Sequence, residues 1–264
     1  NDMLNIYNYA SSVKNIDDQV IESLTSKLIE NLSIAQNIKK APPKGCPVIF
    51  TPHGLYQTIL SPLLVSFNGT NLSKNLSRLY KKENEKIFDK KISITDNPFI
   101  DYSTSSRNYD AEGITSQINT LIKRGRFISG IFDLKTSSEY NCQSTGSAER
   151  SIHSNTFPST SNLIMDNGET SFDEMVKQID EGILVDHLLG SGQGNELSGD
   201  FSANISLGYK IEKGQIVGRV KNTMISGNSF NALSKVDDIT SEIETVYGSL
   251  KLPFLQTSNV EISS

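Results

Sequence analysis

The sequence predicts an α+β fold: a large, mainly antiparallel, curved or barrel-like sheet with long hairpin strands and a few flanking helices. Three observations carry this expectation. Over 201–211 the apolar residues fall on every second position (Phe201, Ala203, Ile205, Leu207, Tyr209, Ile211), and Ser202, Asn204, Ser206, Gly208 and Lys210 between them are small or polar. A period of two marks a strand with one face buried and one in water. Eleven residues at about 3.3 Å each span roughly 36 Å, about twice the usual strand. Glu212, Lys213, Gly214 and Gln215 then form a hairpin turn in which Gly214 is free to take positive φ, and 216–220 returns as the partner strand. Helical signatures are few and interspersed with strands that are neighbours in the chain.

The other elements follow in order. Asp17 caps a helix whose apolar stripe is Val20, Leu24, Leu28, Leu32 and Ala35, ending before Ala41-Pro-Pro-Lys-Gly45. Residues 47–50 are a short buried strand. Over 56–67, Ile59, Leu60, Leu63, Leu64 and Phe67 have helical spacing, and Pro62, which has no N–H, predicts a break near Ser61. The polar stretch 68–84 is expected to be a helix end and a mobile surface segment. Residues 92–95 read as a strand, Asp96-Asn-Pro98 as a turn and 101–113 as irregular. A short amphipathic element or strand over 115–123 stops at Gly125, and 127–134 is strand-like. Residues 141–161, dense in Ser, Thr, Gly and Asn, form a long excursion. Ser171-Phe-Asp-Glu174 is a capping box, predicting a helix over 171–181 that Gly182 terminates. A strand over 183–189, helical turns over 228–233 and strand character over 250–260 complete the chain.

Composition bounds the function. The 264 residues carry a formal charge of −5 and a pI near 5.3, which argues against a nucleic-acid surface. No apolar run approaches a membrane span, and the start lacks a secretory signal. Cys46 and Cys142 stand in no metal spacing and suit packed thiols in a reducing compartment, so a cytoplasmic location without membrane partners is expected. The first residue is not Met. Residues 1–40 are taken as a linker and helix from the end of a missing N-terminal domain, and 41–264 as a β-rich domain.

Catalytic groups are scarce. The three histidines are His53, His153 and His187; no His-Glu-x-x-His occurs, and no two lie within a helical turn of each other. His53 reads as a strand-end histidine bonded to backbone. Asp186 and His187 are successive residues of a strand, so they are expected to point to opposite faces and to form no dyad. No Gly-x-Ser-x-Gly elbow is present. The run Gly190-Ser-Gly-Gln-Gly194 leads into a strand rather than a helix N-terminus, which suits a flexible loop at a groove rim. Asp200 is placed to bond that loop's N–H groups, and Arg107 and Arg150 can bind a carboxylate. Gly192, Gly194, Asp200, His187 and Arg150 are therefore the groove candidates; no catalytic or cofactor residue is assigned.

At the level of motifs, Gly182-Ile-Leu-Val, the glycine run, Ser198-Gly-Asp-Phe201, Gly208-Tyr-Lys-Ile-Glu-Lys-Gly214 and Thr223-Met-Ile-Ser-Gly-Asn228 resemble, in order and spacing, the carboxy-terminal region of the TldD/PmbA family. Cys46-Pro-Val-Ile-Phe50, Asp110-Ala-Glu-Gly113, Ser144-Thr-Gly-Ser-Ala148 and Pro158-Ser-Thr-Ser-Asn162 extend the resemblance upstream. It implies a cytoplasmic peptidase complex in which TldD-type subunits hold zinc through His-Glu-x-x-x-His and a later cysteine. Leu60, Ser61, Val65 and Tyr247 stand at those positions here, side chains that cannot supply the set of ligands zinc needs. The resemblance thus implies the metal-free PmbA/TldE branch, with a TldD-type subunit and extended peptides as partners, in a homo- or hetero-dimer. The alternatives are a self-sufficient hydrolase using His53 or His187, and a protein-binding module linked to DNA gyrase.

Overall fold

A computed structural model describes residues 4–190 and 194–264. Helix α1 (Asp18–Ala35) starts as the sequence predicts: the Asp17 carboxylate accepts the Val20 N–H at 3.0 Å, satisfying a donor the first turn leaves free. Its stripe is less buried than expected. Ala35 is enclosed, whereas Val20 and Leu32 stay exposed, because only the last turns of the helix pack into the core. Strands β1 (Ile38–Lys39) and β2 (Val48–Phe50) follow.

Three helical pieces then run on without a loop: α2 (Pro52–Leu55), a π-helical turn (Tyr56–Leu60) and α3 (Ser61–Phe67). The break expected near Ser61 takes the form of this π turn, in which the Ser61 N–H bonds the Tyr56 carbonyl five residues back. Pro62 has no N–H to donate and its ring would press on the carbonyl four residues earlier; the wider turn accommodates both. After α4 (Gly69–Ser73) the polar stretch is pinned rather than mobile. Leu72 and Leu79 are fully buried, and the Ser77 hydroxyl donates to the Ser66 carbonyl at 2.6 Å.

Strands β3 (Ile94–Asp96), β4 (Asn119–Lys123) and β5 (Arg126–Phe127) come next, with Arg124 and Gly125 both at positive φ in the β4–β5 turn. The strand-like pattern over 127–134 gives way to α5 (Leu134–Tyr140), which Asp133 starts with a capping box and Asn141 closes in the left-handed region. The long excursion contains a small separate sheet of β6 (Ala148–Glu149) and β7 (Phe157–Pro158), and β8 (Leu163–Met165) follows it. In α6 (Phe172–Lys177) both capping-box bonds between Ser171 and Glu174 form. The helix ends at Lys177, not at Gly182, which lies inside β9 (Glu181–Leu189). A Cβ at Gly182 would come within 2.8 Å of the Pro47 carbonyl, so close strand packing is its role. The remaining elements are β10 (Asp200–Glu212), β11 (Gln215–Val220), β12 (Met224–Asn228), α7 (Ser229–Ser234), β13 (Asp238–Val246), β14 (Leu250–Thr257) and β15 (Val260–Ser263). Lys213 and Gly214 both take positive φ in the β10–β11 hairpin, as expected of a primed turn.

The main sheet runs β1-β11-β10-β9-β2-β14-β8-β3-β4-β5, with β12 joining β10 to β15 and β13 adding to β14. It is mixed: β1 with β11, β2 with β9 and β8 with β14 are parallel, and the other pairs antiparallel. It is also open, which corrects the barrel-like expectation. The β10–β11 hairpin is largely interior: β1 pairs with Arg219 and Val220 at the end of β11, and β9 and β12 pair with β10.

Two cores lie on the two faces. Ile183 and Val185 belong to one and Leu184, between them, to the other, so the cores are on opposite sides of the sheet. The π turn, α3 and α7 cover the larger core, through side chains such as Ile59, Leu63, Phe67 and Phe230. The last turn of α1 and α6 cover the smaller one, through Ala35, Met175 and Val176. The six apolar residues of β10 do not share a face. Phe201, Ala203 and Ile205 enter the larger core, and Leu207, Tyr209 and Ile211 the smaller. The register with β9 explains the switch: Ile205 faces Leu188, Leu207 faces His187, and Gly208 faces Val185, leaving Ser206 and Asp186 as extra residues on their strands. A bulge reverses the side-chain parity that follows it.

Candidate functional site

The bulge places the chemistry. In a regular strand Asp186 and His187 would diverge; here both line the same cavity. Nδ1 of His187 lies 3.3 Å from Oδ2 of Asp186, without the alignment of a hydrogen bond. The other carboxylate oxygen of Asp186 accepts the Thr51 hydroxyl at 2.7 Å. Thr51 is also the N-cap of α2, its hydroxyl accepting the Gly54 N–H at 3.1 Å. One side chain thus starts the helix that carries His53 and anchors the carboxylate across from it. Burial alone would raise the Asp186 pKa, but the His187 contact and the Thr51 hydrogen bond together hold it below the usual carboxylate value.

His53 stacks on His187 with ring centroids 5.0 Å apart and planes 24° apart. Its Nδ1 is buried without a partner, so it is not the backbone-bonded strand-end histidine the sequence suggested. Burial, followed by the electrostatic effect of the neighbouring His187 ring, lowers its pKa to about 4, and the imidazole is neutral at physiological pH. Both ring nitrogens of His187 and the hydroxyl of Tyr209 are also buried without hydrogen-bond partners. The N-terminal segment passes over this pair: Tyr7 meets the edge of His187 at 4.6 Å, and Tyr9 lies 6.2 Å from His53.

The cavity holds about 620 Å³ between α1, α6 and the sheet. Aromatic side chains of Tyr7, Phe172, Tyr209 and Phe254 form much of its wall. At its rim Lys27 pairs with Glu244.

Tyr247 closes an aromatic cluster beside the cavity. Its ring lies 5.4 Å from His53, 5.3 Å from Tyr56 and 5.8 Å from Tyr9. Gln57 fixes it: the Gln57 amide donates to the Tyr247 hydroxyl at 2.8 Å, and its carbonyl oxygen accepts the Leu188 N–H at 2.9 Å. Tyr56 and Gln57 belong to the π turn, so the wider helical turn sets which side chains meet Tyr247.

The structure disperses the groove candidates. His187 is in the cavity, and Gly192 lies outside the described residues. Gly194 sits where a Cβ would be 2.1 Å from the Asp200 carbonyl oxygen, so close backbone approach requires it. Asp200 accepts from the Ser198 hydroxyl and from Asn228 Nδ2 at 2.7 Å, tying the 194–200 turn to the cap of α7. Arg150 borders a separate depression with Lys135, Asn155 and Thr156, and Arg107 is paired with Glu149 at 2.6 Å. Neither Arg107 nor Arg150 lines the histidine cavity. His153 is exposed in a turn. Cys46 is buried as expected of a packed thiol, while Cys142 is exposed. Sequence reasoning missed Thr51, Gln57 and Tyr209 and set Asp186 aside on the opposite face from His187; the Thr51-Pro52 helix start was the one local signal available.

The zinc-type positions lack a matching donor set. Leu60 is buried in the larger core, and Ser61 and Val65 are partly buried on α3. Burial raises the pKa of Tyr247, which keeps the proton that metal ligation would require it to lose. Among the described residues no group of three or more His, Cys, Asp or Glu side chains is arranged to hold a metal ion. These residues do not fit a zinc ion.

A family model described as the PmbA/TldA metallopeptidase C-terminal domain matches residues 43–264. The chain belongs to the PmbA/TldD family. This PmbA/TldD chain is 26% identical over 245 residues to a protein named metalloprotease PmbA homolog from Buchnera aphidicola subsp. Acyrthosiphon pisum, a match covering 92% of this chain and 52% of that protein. It is 28% identical over 176 residues to the metalloprotease TldD homolog of Haemophilus influenzae, covering 66% of this chain and 36% of that one. The crystal structure of TldE from Thermococcus kodakarensis superimposes with a TM-score of 0.82 at 27% identity, covering 92% of this chain and 56% of that chain. The chain spans about half the length of the curated PmbA relative it matches. No helix among the described residues is long and apolar enough to cross a membrane.

Proposed function

We propose that this chain is a non-catalytic, PmbA/TldE-type subunit of a cytoplasmic peptidase complex, shaping the groove in which a TldD-type zinc subunit cuts extended peptides. The observation that carries the reading is the donor chemistry at Leu60, Ser61, Val65 and Tyr247: hydrocarbon, a hydroxyl and a protonated phenol. A catalytic zinc needs three protein ligands and an open position for water. The similarity to TldE supports the same branch. The long hairpin offers a peptide little free edge, because β9 pairs along most of β10 and β1 pairs with Arg219 and Val220 at the end of β11. The aromatic and histidine-lined face is the better peptide-holding surface. Purified alone, the protein should hold no stoichiometric zinc and cleave no unfolded peptide, and hydrolysis should appear when a TldD-type subunit is added. Chelator-sensitive hydrolysis by this chain alone would overturn the assignment.

A second reading, a hydrolase using His187, draws on the Asp186–His187 contact. It lacks a nucleophile, since neither nitrogen of His187 nor Nδ1 of His53 bonds a hydroxyl or thiol. If His53→Ala and His187→Ala each leave any hydrolysis unchanged, this reading is excluded.

A further inference from the structure

The cavity over Asp186 is lined by more acidic than basic side chains. Among the described residues that line it, Glu30, Asp173, Asp186, Glu242 and Glu244 are acidic, and Lys27, already paired with Glu244, is the single lysine or arginine. Asp186 is buried, and among the described residues no lysine or arginine forms an ion pair with it. A buried carboxylate that no lysine or arginine pairs is free to take a cationic ligand as its counter-charge.

A second feature points the same way. His53 and His187 are each more than nine-tenths buried, both line the cavity, and His53 Nδ1 and both His187 nitrogens have no partner. The Tyr209 hydroxyl, in the same wall, is equally unpartnered. A neutral imidazole offers one lone pair and a phenol oxygen another, so His53 and Tyr209 can accept N–H donors. The rings of Tyr7 and Phe172 also line the cavity, and an aromatic quadrupole attracts a flat cation. Carboxylate, lone-pair acceptors and aromatic walls together match a planar guanidinium with its five donors better than a compact ammonium.

We infer that this cavity is a subsite for an arginine side chain of an extended peptide, with Asp186 as its buried counter-ion. The inference rests on the peptide-holding role proposed above and specifies the side chain that role selects. Thr51 is a positioning residue, because its hydroxyl donates to the Asp186 carboxylate and fixes it. Asp173, exposed at the start of α6, draws the cation from the rim.

Calorimetric titration of the purified chain tests this with two blocked pentapeptides, one with a central arginine and one with citrulline, its neutral isostere. The arginine peptide should bind at least about tenfold more tightly, and Asp186→Asn should reduce the ratio to near one. Should Asp186→Asn fail to fold, Asp173→Asn, at an exposed site, should still narrow the ratio by about two- to threefold. Equal binding of the two peptides, or an unchanged ratio in the folded variants, overturns the arginine subsite and leaves the peptide-holding role standing. Absence of binding by both peptides overturns the two together.

Discussion

Asp186 and His187 are adjacent in the chain and lie on the same side of the sheet, with Nδ1 of His187 3.3 Å from a carboxylate oxygen of Asp186. The bulge opposite Leu207 makes this possible, and it turns a stretch of regular strand into the floor of a cavity.

The neutral His53 makes the fold acid-sensitive. Its pKa falls from 6.5 to about 4 on folding, so below 6.5 the unfolded chain binds the proton more readily. Stability is therefore full at neutral pH, declines as pH drops through the unfolded value, and levels off below the folded one. The loss should be on the order of 2 kcal/mol, allowing for partial solvent screening. Urea denaturation at about pH 7.5 and about pH 4.5 measures it, and His53→Asn should remove that part of the pH dependence. Asp186 acts in a separate window: its folded pKa is depressed, so its contribution is lost only below the ordinary carboxylate range.

Gln57 joins the π turn, β9 and Tyr247 through one side chain. Gln57→Ala leaves the Leu188 N–H without its acceptor and frees the Tyr247 ring. A cost of about 1–3 kcal/mol is expected, read as a lower denaturation midpoint at unchanged slope.

Ser171→Ala removes the hydroxyl that accepts the Glu174 N–H and breaks the reciprocal box at the start of α6. The expected loss is about 1 kcal/mol. It should be accompanied by faster amide exchange in the first turn of α6, which hydrogen-exchange mass spectrometry resolves.

Gly194→Ala places a methyl group 2.1 Å from the Asp200 carbonyl oxygen, a separation no side chain tolerates. The turn must open, and a destabilisation of about 1–3 kcal/mol follows. Limited proteolysis should show new cleavage within 194–200, and unchanged cleavage there would contradict the close packing of Gly194.

The sequence by itself determined the features whose hydrogen bonds close within a few residues. Asp17 caps α1, Ser171 and Glu174 form their box, Lys213 and Gly214 make the hairpin turn, and Pro62 forces a break at Ser61. It also determined the family, because motif order survives without knowledge of contacts. The periodicity of β10 showed that a long strand exists but not that its apolar residues serve two cores. Nothing in 201–211 marks Ser206 as an extra residue, since a bulge is a property of two paired strands rather than of either one. Tertiary structure likewise decided that His53 meets His187, that Thr51 holds Asp186, and that Tyr247 rests on the π turn. Each of these joins residues more than a hundred positions apart, and only the folded sheet brings such residues within reach of one another.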